Sequence, residues 1–143
     1  MKKNKLIFIA FILCCISVSC SPIIEFSKTV WGSSTRRLEQ ARVDAAKETF
    51  SCSLDECFDI VLKMAQSDAD AQPPRGEFFD VFIKNRKKRH IVIMRVPGTI
   101  DTTAVGIFFT PLDEKTHIDV SSLSTNAKQV AAKLIFDEIK KNY

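Results

Sequence analysis

Glycine and proline are scarce in this sequence, and it has no long apolar run. Four glycines and five prolines among 143 residues exclude collagen-like and low-complexity proteins. The longest apolar run covers residues 6–16, whereas a membrane-spanning helix needs roughly 20 residues. Hydrophobic residues make up 45% of the chain and charged residues 27%. The composition therefore indicates a globular domain and excludes a disordered chain.

A strong excess of one charge sign is also missing. The formal net charge is +4, but Lys2, Lys3 and Lys5 supply three of these charges. Without these lysines the chain holds 18 basic and 17 acidic residues, a net charge of +1. The positive excess is therefore a property of the N-terminus, and the sequence predicts no nucleic-acid partner.

The N-terminus has the layout of a secretory signal. The three lysines precede the apolar run, small or short residues stand at 17–19, and Cys20 follows. This arrangement resembles the signal of bacterial lipoproteins, although Ser17 stands where that signal usually has Leu. The resemblance implies that the Cys20 thiol accepts a diacylglyceryl group and that cleavage falls before Cys20. The alternative is an ordinary cleaved signal peptide with a free cysteine near the mature start.

The same resemblance predicts a signal peptide at residues 1–19 and the location of the protein. Residues 21–32 have no clear hydrophobic period, so we expect a lipid-anchored tether at 20–32 and a single α+β domain at 33–143. Ser21 follows the cysteine, and the enterobacterial sorting rules then place the protein in the outer membrane, facing the periplasm. The lipidated Cys20 is expected to bind the membrane, because two or three acyl chains make a stable anchor.

Hydrophobic periodicity predicts an α+β fold. The predicted elements are a short helix at 36–47, a strand at 49–52, a helix from a capping box at Ser53 to about Gln66, strands at 78–84, 89–96, 102–110 and 116–123, and a last helix. Strands joined by short turns pair antiparallel, and two amphipathic helices cover one face of a sheet. The expected architecture is a two-layer sandwich, with about five antiparallel strands and helices on one face.

Three motifs carry a family resemblance. They are WGSSTR at 31–36, VGIFFTP at 105–111 and SSLS at 121–124. These motifs resemble a family of bacterial lipoproteins of unknown function. The order β-α-β-β-β-β-α is also similar to that of helix-grip domains of periplasmic lipoproteins. The resemblance implies a lipoprotein and carries over no catalytic residue.

Cys52 and Cys57 are the only cysteines after Cys20. An oxidising compartment permits a disulfide, and their spacing is compatible with the required Cα distance of roughly 4.4–6.8 Å. Cys57 also fits a buried helix face, where a free cysteine acts as a small apolar residue. A disulfide, two inert thiols and a reactive thiol all stay open, and the C-x₄-C spacing is unlike a C-x-x-C redox motif.

A dense basic run lies at a predicted hairpin turn and includes Arg86, Lys87, Lys88 and Arg89. One interpretation is contact with anionic lipid headgroups or an acidic partner. The other is a solvated turn whose charges keep a sheet edge from pairing with other chains.

The histidines do not indicate a metal site. His90 and His117 are the only two in the chain, and a zinc site needs three or four ligands. We interpret both as surface-strand residues, and we expect neither a metal nor a cofactor.

Pairs of consecutive phenylalanines predict an exposed aromatic surface. Phe78-Phe79 and Phe108-Phe109 each place one ring on either sheet face, and the face without helices would stay partly open. Neither a G-x-S-x-G motif nor a Ser/His/Asp layout is visible. The sequence therefore favours a non-enzymatic binding or assembly module of the cell envelope, with an envelope protein as its partner. The alternatives are a carrier of a small apolar ligand, held between helix and sheet, and an enzyme.

Overall fold

The computed structural model describes residues 35–66, 78–100 and 102–143. The predicted signal peptide and tether, with Cys20, lie outside these residues. The fold is α+β, as predicted. The elements are a helical segment at 35–40 that continues as a 3₁₀ helix at Ala41–Asp44, then β1 (Ala46–Phe50), α1 (Leu54–Gln66), β2 (Asp80–Asn85), β3 (His90–Met94), β4 (Val105–Leu112), β5 (Lys115–Ser122) and α2 (Thr125–Asn142).

The five strands form one antiparallel sheet in the order β1-β5-β4-β3-β2. The strands β2 to β5 follow one another as neighbours, as their short connections predict. β1 joins the sheet beside β5, where Phe50 lies opposite Thr116. The long pair β4–β5 runs from Val105 opposite Ser122 to Leu112 opposite Lys115. Both β1 and β2 are therefore edge strands.

The two long helices begin at side-chain caps. The Ser53 backbone N–H donates to Glu56 Oε2 at 2.8 Å, and the Glu56 N–H donates to Ser53 Oγ at 3.3 Å. This is the predicted capping box, and its hydrogen bonds lower the pKa of Glu56 below its ordinary value. At the start of α2, the Ala127 N–H donates to Ser124 Oγ at 3.3 Å. The caps satisfy N–H groups that have no partner within the helix.

The main core lies between these helices and one face of the sheet. The rings of Phe58 and Phe109 are 5.2 Å apart, and those of Phe50 and Phe136 are 5.5 Å apart. Val61, on α1, is fully buried in this core. Burial of an apolar side chain of this size stabilises the fold by about 1.5–3 kcal/mol. The core-facing stripe of α1 is thus the one its periodicity predicts.

The N-terminal helix is shorter than predicted, and β1 lies earlier in the chain. Ala46, Lys47 and Glu48 belong to β1, so the predicted helix at 36–47 and strand at 49–52 are wrong in their bounds. Ala46 pairs with Val120 and Glu48 with Ile118. These pairs are about seventy residues apart in sequence. Non-local pairing here overrides a local helical preference, because propensity is a weak determinant beside tertiary contacts.

The N-terminal segment, which we define as residues 35–44, covers the second face of the sheet. Leu38, Val92 and Phe108 form a small buried cluster there. Phe108 is only 4% exposed, so the expected exposed aromatic surface is wrong at this residue. Leu38 is the residue of the N-terminal segment that packs against the Phe108 ring.

Phe78 and Phe79 do not alternate across the sheet either. They precede β2, and both pack against the main core, Phe79 as a buried member of it. The aromatic ring that β2 exposes is that of Phe82, at 43%.

Candidate functional site

The basic run lies, as predicted, at the turn between β2 and β3. The Arg89 N–H donates to the Arg86 carbonyl at 3.1 Å, and the Lys88 N–H donates to Asn85 Oδ1 at 2.9 Å. The Arg89 carbonyl accepts from the Phe109 N–H of β4 at 2.9 Å. Residues 86–89, which we call the basic turn, are all exposed. Two of these hydrogen bonds order the backbone of the turn, and the third attaches the turn to β4.

Arg86 points from the basic turn to α1. Its guanidinium forms ion pairs with Asp55 and Asp59, and it lies 4.5 Å from the centre of the Phe58 ring. The hydrogen bonds with Asp59 and Asp55 raise the pKa of Arg86 above its ordinary value. The charge of Arg86 is therefore shared with two carboxylates of the same domain.

Lys87, Lys88 and Arg89 differ from Arg86 in this respect. Within the described part of the chain, none of the three forms an ion pair. Basic residues elsewhere do have acidic partners, among them Arg95 with Asp80 at 3.1 Å and Lys140 with Glu48 at 2.7 Å. The basic turn thus concentrates three exposed positive charges that have no ion-pair partner in the described part of the chain.

His90 follows the basic turn but is buried. It is 5% exposed, and its ring centre lies 5.9 Å from that of Phe108. Burial lowers the pKa of His90 below its ordinary value, against weaker opposing effects of the Lys88 backbone and Glu39. The interpretation of His90 as a surface residue is wrong, because the N-terminal segment covers this face. The lowered pKa disfavours a positive charge on His90, so the charge of the basic turn comes from its lysines and arginines.

A row of polar side chains on the second sheet face was not foreseen from the sequence. Thr49 Oγ1 lies 2.9 Å from His117 Nδ1, and His117 Nε2 lies 3.2 Å from Asp119 Oδ1. Thr49 is opposite His117 in the β1–β5 register. His117 and Asp119 are two residues apart and share a face. Only the strand register, which has no local sequence signal, brings these groups together.

The hydroxyl of Thr49, the imidazole of His117 and the carboxylate of Asp119 follow one another in the order of a catalytic nucleophile, base and orienting acid. Arg42, however, also binds the carboxylate. The Arg42 Nε–H donates to Asp119 Oδ2 at 2.9 Å, and a second guanidinium nitrogen forms an ion pair with the same oxygen. Among the described residues, Asp119 Oδ1 has no hydrogen-bond partner, and His117 Nε2 lies 3.2 Å from it. Asp119 thus fastens the N-terminal segment to the sheet, and we assign the row no catalytic role.

Cys52 and Cys57 are joined by a disulfide, with their Cα atoms 5.9 Å apart. Cys52 follows β1, and Cys57 lies in the first turn of α1. Both side chains are buried, at 1% and 0% exposure. Of the three states that the sequence leaves open, the structure has the bridged one, in which the bond ties β1 to α1.

Two grooves open on the described surface. One, of about 340 Å³, lies between α1 and α2 and is lined by apolar and charged residues that include Ile60, Phe78 and Lys141. The other, of about 510 Å³, lies between the N-terminal segment and the start of α2 and includes Arg37 and Leu123. Met64, a buried member of the main core, lies in the wall of the first groove.

The described residues thus define a small α+β protein with one open antiparallel sheet. Among them, no three His, Cys, Asp or Glu side chains are placed to hold a metal ion. None of the described helices is both long and apolar enough to cross a membrane. A comparison with protein-family models and with curated proteins finds no match for the chain. The likeness to bacterial lipoproteins therefore stays a prediction from the sequence motifs.

Proposed function

We propose that the protein is a lipid-anchored, non-enzymatic binding or assembly module of the cell envelope. The observation that carries this proposal is the N-terminal order of three lysines, the apolar run at residues 6–16, small residues and Cys20. Such a segment is too short to span a bilayer and typical of an export signal. In this proposal Cys20 holds the protein in the outer membrane, and the folded domain faces the periplasm and binds another envelope protein.

Three features of the folded part support a binding role over an enzymatic one. The carboxylate of Asp119 forms an ion pair with Arg42 through Oδ2, which weakens the support that its negative charge gives to His117 as a base. His90 is buried beside an aromatic ring. The described grooves have mixed linings, without a nucleophile and a base within hydrogen-bond distance.

The experiment is to replace Cys20 and follow acylation. Cells grown with a clickable fatty acid should label the wild-type protein and leave Cys20→Ala unlabelled, either released from membranes or retained as a precursor. Cys15→Ala, within the apolar run, is the matched control and should label normally. Unchanged labelling and maturation of Cys20→Ala would refute the lipid anchor.

The second candidate function is a carrier of a small apolar ligand. The groove between α1 and α2, with Ile60 and Phe78 in its lining, is the observation that favours it. The space between the helices and the sheet is instead filled by large buried side chains such as Phe58 and Ile107, as a packed core requires. Mass spectrometry of lipid extracts from the purified protein separates the two. A stoichiometric apolar molecule would favour the carrier.

A further inference from the structure

We propose that Lys87, Lys88 and Arg89 of the basic turn dock on anionic headgroups of the membrane that holds the Cys20 anchor. This inference rests on the proposed function, and it adds an orientation to it. The lipid anchor fixes only the N-terminus of the chain. A second contact through the basic turn would fix which side of the domain faces the bilayer.

Charge is the first argument for this surface. The chain after the N-terminal lysines has a net charge of only +1, yet three adjacent exposed cations lie on one turn. Asp55 and Asp59, the carboxylates that reach the basic turn from α1, are paired with Arg86. They therefore form no ion pair with the other three cations of the turn. Basic residues near an anionic bilayer are attracted within about a Debye length of it.

Rigidity is the second argument. The turn has two hydrogen bonds of its own, one from the Lys88 N–H and one from the Arg89 N–H, and a third links Arg89 to β4. Arg86 adds ion pairs to α1. The backbone that carries Lys87 and Lys88 is thus ordered before any contact with a membrane, so docking costs little conformational entropy.

Reach is the third argument. Fourteen residues separate Cys20 from Thr35, and a chain of this length spans at most about 50 Å. A domain of about 110 residues is about 35 Å across, from a radius of gyration of roughly 13 Å. The covalent chain is therefore long enough for the basic turn to meet the bilayer that holds the acyl chains.

The test uses the full lipidated protein, reconstituted into vesicles of phosphatidylcholine alone or with added phosphatidylglycerol. Lysine acetylation, mapped by mass spectrometry, reports which side chains are shielded. Lys87 and Lys88 should react several-fold more slowly on the anionic vesicles, because each basic residue in contact shifts the docked population by roughly fivefold. Lys47, on the opposite edge strand, is the internal control and should react equally on both. At about 1 M salt, where the Debye length is ~3 Å, the shielding should disappear.

A pair of matched variants tests whether the turn itself causes docking. In the wild type, Lys84, the neighbouring lysine of β2, should also react more slowly on the anionic vesicles. Lys87→Gln/Lys88→Gln should abolish this shielding of Lys84. Lys47→Gln/Lys63→Gln removes the same charge elsewhere and should preserve it. If the protein is vesicle-bound and Lys87 and Lys88 react equally on both vesicles, the docking inference is overturned while the lipid anchor stands. Failure to associate with either vesicle would overturn the anchor and the docking together.

Discussion

The N-terminal segment depends on Leu38 for its attachment to the sheet. Leu38 is 2% exposed and packs against Val92 and Phe108. Leu38→Ala leaves a cavity in a small cluster near the surface, which can partly close. We therefore expect a loss of about 2–3 kcal/mol in the free energy of unfolding, at the lower end of the range for buried leucines. For a domain of this size, that loss lowers Tm by roughly 10–20 °C.

Val43→Ala is the matched control for this substitution. Val43 lies in the same segment but is 83% exposed, so its truncation should change stability by less than about 0.5 kcal/mol. Urea and thermal denaturation of the two variants, followed by circular dichroism, measure the difference. Equal midpoints would refute the packing of this segment on the sheet.

The same contact can be perturbed from the sheet side. A Cβ added at Gly106 would lie 2.7 Å from Cε2 of Phe108 and 3.2 Å from Cβ of Leu38. Gly106→Ala should therefore displace the Phe108 ring or the N-terminal segment, at a cost of about 1–3 kcal/mol. It should also speed amide hydrogen exchange in residues 35–44 more than in β4. Unchanged stability and exchange would show that the segment does not approach β4 this closely.

Three further predictions concern the basic turn, the buried histidine and the disulfide. Arg86→Gln should lower the urea midpoint more than Lys87→Gln, because only Arg86 has ion pairs with α1; equal midpoints would contradict this attachment. The pKa of His90 is lowered on folding from about 6.5, so the unfolded state binds the proton first as pH falls. The stability that His90 contributes is complete above that pH and declines toward the folded pKa. His90→Gln should flatten the drop in urea midpoint between about pH 7.5 and about pH 5, and a drop of wild-type size would argue against burial of this histidine. A reductant should lower the free energy of unfolding of the wild type by about 2 kcal/mol, because the disulfide closes only a short loop in the unfolded chain. Cys52→Ala/Cys57→Ala should not respond to the reductant. If the wild type does not respond either, its cysteines are not bridged.

Local signals were sufficient for the fold class. The capping box at Ser53, the short turns between β2 and β5 and the helical stripe after Ser124 all act within a few residues, and the structure has each of them. The bounds of β1 were missed because its partners lie about seventy residues away. A strand whose stability comes from non-local pairing has little local pattern to reveal it.

The surface was harder to predict than the core, for the same reason. Arg42 and Asp119 are 77 residues apart, and Arg86 and Asp55 are 31 apart. The sequence gives the positions of these charges but not which of them face each other. An exposed aromatic surface was predicted because two amphipathic helices cover only one face of the sheet. The contact of Leu38 with Phe108 on the second face joins residues 70 positions apart, and no local pattern reveals it.

The pairing of Arg86 changes how the basic turn should be interpreted. Four adjacent charges on one turn suit either a membrane contact or a solvated edge, and composition does not separate the two. Arg86 stabilises the turn through Asp55 and Asp59, whereas Lys87, Lys88 and Arg89 have no ion pair in the described part of the chain. Charges that only discourage sheet pairing are needed along the edge strand itself, but these three lie beyond its end. Their position therefore favours a contact made by the tip of the hairpin.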